Sequence, residues 1–245
     1  MRRRRFLAAL GGVGGGVWYA RRQPRESIEI RYWLSDRGAD YEVHDRITEY
    51  VETAFTAVYD GVDLSFGGVV PVQTEHGYGV TRSGEWPRRV LHGHQGTNGI
   101  DPVTDVNLLV TDGAMEHAPT GIGVYNLASV GGARYLERVP PRAEIADIVP
   151  YESSMQVMQV LLHEIGHVLG LAHEHGSIES IDEGTVASPM VSTYAWVDER
   201  GQFSADQCAC GGLYPERRDG NYYLSFDFST CAREKLQRYH GEFRP

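Results

Sequence analysis

Alternating hydrophobic and polar positions mark the first regular element of the chain. Residues 27–35 carry an apolar side chain at every second position, namely Ile28, Ile30, Tyr32 and Leu34. This period of two predicts a half-buried β-strand. In residues 41–59 the apolar side chains instead recur at the 3.6-residue period of an amphipathic helix, and Gly61 follows as a helix end.

The next stretches complete the pattern of a sheet covered by helices. A second strand is predicted at residues 62–72, so the chain opens as strand, helix, strand, as in an α/β sheet with a right-handed crossover. Residues 73–102 are rich in glycine and lack a hydrophobic period, which predicts a long surface loop. Residues 105–111 form an apolar run dense enough for a central strand, and residues 121–130 predict one further strand.

A long helix is predicted from Glu152, capped near Ser153 or Ser154. Seven apolar side chains recur at helical spacing and should pack against the sheet: Met155, Met158, Leu161, Leu162, Ile165, Val168 and Leu169. Residues 229–239 also have helical character and predict a terminal helix. Residues 201–220 show no regular element.

Three histidines and one glutamate around the end of this helix suit a single metal ion. His163 and His167 are one turn apart and share a helix face. Gly170 can adopt the left-handed conformation that ends a helix, which lets His173 turn back toward the same point. Three neutral imidazoles leave the fourth position of Zn²⁺ open, and the pKa of a water bound there falls from ~15.7 to ~7. Glu164 lies beside the ligand face, so we interpret it as the general base.

These residues resemble those of a known enzyme group. Residues 163–173 fill every fixed position of H-E-x-x-H-x-x-G-x-x-H, the pattern by which metzincin metallopeptidases are identified. Met190, seventeen residues after His173, is similar to the methionine that metzincins carry in a turn beneath the histidines. The resemblance implies an α/β (α+β), zincin-like fold. It has a twisted mixed sheet and two long helices in the N-terminal half, and a smaller irregular C-terminal half with a terminal helix.

The same resemblance implies further roles. Residues 121–129 would be the edge strand that borders the cleft and pairs with an extended substrate. Astacins and serralysins place a zinc-reaching tyrosine two residues after the methionine, where this chain has Ser192. Tyr194 is therefore a candidate stabiliser of the oxyanion, with a packed aromatic beside Trp196 as the alternative. We interpret His175 as a residue that either contacts the metal ligands without binding the ion or lies in solvent.

Other polar clusters give weaker signals for metal ions. His92 and His94 could hold a second metal, although such a pair more often lies in solvent. Asp101, Asp105 and Asp112 could bind Ca²⁺, but no ordered loop signature supports a calcium site.

Composition narrows the class of protein. The 245 residues carry a net charge of −10; without the six arginines at positions 2–5, 21 and 22, 17 basic residues face 33 acidic ones, a balance of −16. Lys235 is the one lysine in the sequence. An acidic, lysine-poor surface is typical of salt-loving microorganisms, and a GC-rich genome is the alternative explanation. Nucleic-acid binding, which needs a basic face, is excluded.

The first residues predict export. Residues 3–7, Arg-Arg-Arg-Phe-Leu, resemble the twin-arginine signal R-R-x-F-L, and the apolar run of about 15 residues that follows is shorter than the ~20 of a membrane helix. A basic disordered arm is the alternative. We expect residues 1–22 to be a leader or membrane tether, residues 27–170 the N-terminal catalytic subdomain, and residues 171–245 the C-terminal subdomain. The protein would be secreted or held at the outer face of the membrane.

The three cysteines lie close to the C-terminus. A disulfide from Cys231 to either Cys208 or Cys210 would tie down the last segment and leave one thiol. A second metal site is the alternative, although no C-x-x-C pair supports it.

The sequence therefore predicts an exported, monomeric zinc endopeptidase that acts on protein or peptide substrates. Two alternatives remain: a zinc-bearing surface or binding protein without turnover, and a zinc hydrolase of non-peptide amides. Glu164 argues against the first alternative, because a structural zinc site needs no such carboxylate and closes its fourth position.

Overall fold

A mixed five-stranded sheet forms the first half of the protein. The computed structural model describes residues 25–116, 119–193 and 220–241. The strands are β1 (Ser27–Ser35), β2 (Gly61–Val70), β3 (Val106–Val110), β4 (Gly121–Val124) and β5 (Leu127–Val130), in the order β2-β1-β3-β5-β4. All neighbours are parallel except β4 and β5. The prediction of a central strand is confirmed, because β3 lies in the middle and all five of its residues are buried.

Two long helices cover one face of this sheet. They are α1 (His44–Thr56) and α5 (Ser153–Val168), as the amphipathic patterns predicted. The alternating apolar residues of β1 point into the core that these helices close, and each of them is at most 3% exposed. The period-two pattern therefore identified the buried face of β1 correctly.

The opposite face of the sheet is covered too, which the sequence analysis did not predict. Residues 73–102 were predicted to be a loop, but they contain helices α2 (Gly77–Arg82) and α3 (Glu85–His94). Trp86 of α3 packs edge-on against Trp33 of β1, with ring centroids 5.2 Å apart. The loop prediction was wrong because glycines disfavour helix formation in isolation, whereas burial of an apolar patch on the sheet stabilises these helices here.

Residues 121–130 form a hairpin and not the single strand predicted. β4 and β5 are antiparallel, and Tyr125 in the turn between them has a φ of 56°, unusual for a residue with a side chain. The prediction of an edge strand holds for β4, which ends the strand order of the sheet.

The two ends of helix α5 test two sequence predictions, the N-terminal cap and the glycine bend. Its N-cap is Glu152, which makes no side-chain capping hydrogen bond, so the predicted cap at Ser153 or Ser154 was wrong. At the other end, Gly170 has a φ of 87°, and the Leu171 N–H donates to the Gly166 carbonyl. The predicted glycine bend is confirmed.

The second half of the protein has more regular structure than expected. A second sheet has the order β6-β9-β8-β7, built from β6 (Ile148–Pro150), β7 (Ile178–Ile181), β8 (Gly184–Ala187) and β9 (Asn221–Ser225). The expected terminal helix is present as α6 (Thr230–Leu236). Short elements also include α4 (Ala133–Leu136) and 3₁₀ turns at Gly38–Asp40 and Arg142–Glu144. The fold is thus mixed α/β with two sheets.

Several sequence predictions fall on residues outside those described. These are the leader at residues 1–22, residues 201–219, Tyr194, Cys208 and Cys210. Cys231 forms a disulfide. Within the described ranges, none of the helices has the length and apolarity needed to cross a membrane.

Helices α2 and α3, which cover the other face of the five-stranded sheet, should contribute strongly to the stability of the protein. Trp86 is fully buried, so Trp86→Ala should lower the free energy of unfolding by about 3–5 kcal/mol through loss of burial and a cavity. Leu91 on the same helix is 50% exposed, and Leu91→Ala should change that free energy by no more than about 0.5 kcal/mol. Urea unfolding followed by circular dichroism measures both. Equal losses would contradict the assigned burial.

Candidate metal centre

The described structure brings the three predicted histidines together at the end of α5. The Nε2 atoms of His163 and His167 are 2.9 Å apart, and each lies 3.2 Å from Nε2 of His173. The first two share a helix face, and the bend at Gly170 returns the chain so that the third faces them. Among the described residues this is the one group of three or more potential metal-binding side chains of this kind.

Backbone carbonyls fix the rings of two of these histidines. Nδ1 of His163 lies 2.7 Å from the Pro189 carbonyl oxygen, and Nδ1 of His167 lies 2.9 Å from that of Leu171. A carbonyl oxygen only accepts, so each Nδ1 must carry the proton and donate it. In neutral rings this leaves a lone pair on each Nε2, at the centre of the cluster. Carbonyl partners of this kind orient histidines that bind metals.

The three rings are in the protonation state that metal binding requires. Burial lowers the pKa of His163 well below its ordinary value, and the neighbouring His167 and His173 lower it further. Burial also lowers the pKa of His167, and it lowers that of His173 to about 4. The imidazoles are therefore neutral near pH 7.

A metal ion at the centre of the cluster would account for the short distance between the Nε2 atoms of His163 and His167. The Nε2 lone pairs of His163 and His167 face each other with no proton between them, which is unfavourable unless a cation lies close by. Nitrogen ligands about 2.0–2.1 Å from Zn²⁺ in a tetrahedral site are roughly 3.3 Å from one another. The observed separations of 2.9 and 3.2 Å are close to that value. The donor set, all neutral imidazole, also suits zinc.

Glu164 directly follows His163 on α5, and its carboxyl group is buried. Glu164 is 5% exposed, and this burial raises the pKa of its carboxyl to about 8. A hydrogen bond with the Gly123 backbone acts in the opposite direction and lowers that pKa. A buried carboxyl with a pKa near neutrality is typical of catalytic acids and bases.

Two glycines of β4 allow the edge strand to lie directly against this part of α5. A Cβ at Gly121 would lie 2.8 Å from the Glu164 side chain, and one at Gly123 would lie 2.2 Å from the Glu164 carbonyl oxygen and 2.8 Å from Cβ of His167. Sequence analysis did not identify these glycines as part of the site. Their alternation inside a strand was the available signal, since glycine within a strand often marks the close approach of another backbone.

Met190 lies in a turn that packs against α5. It is fully buried in a turn that is closed by a hydrogen bond from the Val191 N–H to the Ser188 carbonyl, and its sulfur lies 2.6 Å from where a Cβ of Gly166 would be. Gly166 lies between the two histidines of α5. The lack of a side chain at Gly166 therefore lets the methionine pack directly against the helix between His163 and His167.

The remaining histidine and aspartate candidates lie elsewhere. His175 accepts a hydrogen bond from the Ala172 N–H and is outside the cluster. His92 and His94 are exposed at the end of α3.

The three aspartates do not converge on one point. Asp101 is exposed and pairs with Arg31, buried Asp105 pairs with Arg25, and buried Asp112 pairs with Arg134. Each carboxylate thus already has a cationic partner, and nothing in their arrangement indicates a calcium site.

Comparison with known proteins finds distant structural similarity to a solved structure. No protein-family model matches the chain, and neither does any curated protein. Among solved structures, the crystal structure of archaemetzincin from Methanopyrus kandleri is similar, with a TM-score of 0.44 and 19% sequence identity over 86% of this chain and 95% of that one. At this level of similarity, the functional argument rests on the geometry of the site.

The contact between β4 and α5 can be tested through Gly123. In Gly123→Ala the new methyl group meets backbone atoms, which cannot rotate away, so the free energy of unfolding should fall by about 1–3 kcal/mol. Gly131 offers a matched control, because a Cβ there would meet nothing closer than 3.4 Å. Gly131→Ala should leave stability unchanged or slightly raised. If chemical unfolding gave the same midpoint for both variants, the close approach would be wrong.

Proposed function

We propose that this protein is a zinc-dependent endopeptidase. One observation carries the proposal: three neutral imidazoles converge through Nε2 atoms 2.9–3.2 Å apart, and Glu164, which follows His163 on the helix, carries a buried carboxyl. His163, His167 and His173 would hold the ion. No fourth side chain of this kind joins the cluster among the described residues, as expected of a catalytic rather than a structural zinc site.

The chemistry would be divided between the ion and Glu164. When bound, Zn²⁺ supplies an acidic water and polarises the scissile carbonyl. The carboxylate of Glu164 accepts a proton from water and then donates it to the leaving amine. A cation held next to Glu164 favours its ionised form, which opposes the effect of burial on its pKa.

A peptide substrate would lie along β4. This strand has one neighbour, β5, in its sheet, and it passes against the α5 turn that carries Glu164 and His167. An extended peptide can pair with the free backbone groups of such an edge. The scissile bond would then be close to the carboxyl of Glu164.

The mechanism predicts different effects for Glu164→Gln and His173→Ala. The first removes the proton acceptor, so kcat/KM for an unfolded protein substrate should fall about 10²–10⁴-fold while the chain still binds one zinc. The second removes a ligand, so zinc content itself should fall. Cleavage assays and metal analysis, both at high salt, measure these effects.

The exposed residues Glu174 and His92 provide matched controls. Glu174→Gln and His92→Ala should behave as wild type in both assays. A wild-type chain with one bound zinc that cuts no protein would indicate a binding protein or a hydrolase of non-peptide amides. A Glu164→Gln variant as active as wild type would refute the mechanism.

We also propose that the protein works outside the cytoplasm, secreted or at the outer face of the membrane. The support is the resemblance of residues 3–7 to a twin-arginine signal. A reporter fused after residues 1–26 should be exported, and replacement of Arg3 and Arg4 by lysine should retain it in the cytoplasm. Equal export of both fusions would remove the twin-arginine route.

A further inference from the structure

Three successive turns of α5 contact residues 187–193, the segment that contains the methionine turn at residues 188–191. Gly166 lies over the Met190 sulfur, and His163 donates from Nδ1 to the Pro189 carbonyl. One turn earlier on the same helix face, Gln159 contacts the residues on both sides of Met190. The orientation of the His163 ring therefore depends on where this segment holds the Pro189 carbonyl.

Gln159 connects the two ends of that segment. Its Nε2 donates to the carbonyl oxygens of Ser188 at 3.1 Å and Ala187 at 3.5 Å, before the methionine. Its Oε1 accepts from the Thr193 hydroxyl at 3.0 Å, after the methionine. Two carbonyls and a hydroxyl fix which end of the amide is nitrogen, because the carbonyls cannot donate.

The environment makes these hydrogen bonds strongly constraining. Gln159 is 1% exposed and Thr193 is 2% exposed, so neither has water as a ready substitute partner. A buried polar group that loses its partner is destabilised by its full desolvation penalty. The amide and the segment therefore hold each other in one geometry.

We propose that Gln159 is a positioning residue for the metal centre. It acts through Ala187, Ser188 and Thr193 to place the Pro189 carbonyl, which in turn orients His163 toward the ion. This inference rests on the proposed function, because it assumes that His163 binds a metal. Groups that orient a histidine ligand typically change metal affinity by 10–100-fold when they are replaced.

The test compares Gln159→Met with wild type. Methionine keeps the length of the side chain and removes both hydrogen-bonding ends. We expect the dissociation constant for Zn²⁺, measured by competition with a chromophoric chelator, to rise about 10-fold. With Co²⁺ as a spectroscopic probe, the visible d–d absorption bands of the variant should shift, because the His163 ring no longer has one fixed orientation.

Gln156 provides the matched control. It is also a buried glutamine of α5, 5% exposed, but its Nε2 has no hydrogen-bond partner and it makes no side-chain bond to the methionine turn segment. Gln156→Met should leave both the zinc dissociation constant and the Co²⁺ spectrum as in wild type. If the loss of any buried glutamine weakened zinc binding, the zinc dissociation constant would instead rise equally in Gln159→Met and Gln156→Met.

Thr193 gives a second route if Gln159→Met does not fold. Thr193→Val removes the hydroxyl at nearly constant volume and should weaken zinc binding, whereas Thr193→Ser keeps the donor and should restore it. The positioning role would be overturned if Gln159→Met had the zinc affinity and the Co²⁺ spectrum of wild type. Where Gln159→Met does not fold, the same result in Thr193→Val would overturn it. Either result would leave the peptidase proposal intact. Absence of zinc binding by the wild-type chain would overturn both.

Discussion

The site depends on the hydrogen bonds that fix two imidazole rings by their outer nitrogens. The Pro189 and Leu171 carbonyls accept from Nδ1 of His163 and His167, so both Nε2 lone pairs point inward. Without these bonds each ring could rotate or bind a proton on the other nitrogen. Burial completes the effect, because it lowers the pKa of each ring and keeps it neutral.

The close packing around this site uses three glycines. Gly121 and Gly123 bring the edge strand against α5, and Gly166 makes room for the Met190 sulfur. At each of these positions a side chain would occupy space that a neighbouring element already fills. The helix that carries His163 and His167 is thus in close contact with a strand on one side and with a turn at Met190, and this confinement would provide the rigidity that the proposed catalytic site needs.

Sequence reasoning was most successful where the signal was local. The alternating face of β1, the amphipathic period of α1 and α5, and the bend at Gly170 each depend on neighbouring residues along the chain, and each is confirmed. It failed for α2 and α3, because the surface that stabilises these helices belongs to distant strands. It also failed for the β4–β5 hairpin, where Tyr125 adopts a positive φ that its residue type does not predict.

The sequence by itself determined the histidine spacing, the bend and the adjacent glutamate, because these lie within eleven consecutive residues whose geometry a helix and a turn dictate. Only the tertiary structure decided which groups surround them. Pro189 and Gln159 are separated by 30 residues of chain, and no local period indicates that one helix face meets that turn. Ring orientation, burial and the raised pKa of Glu164 follow from such long-range contacts, since desolvation depends on everything that packs around a group.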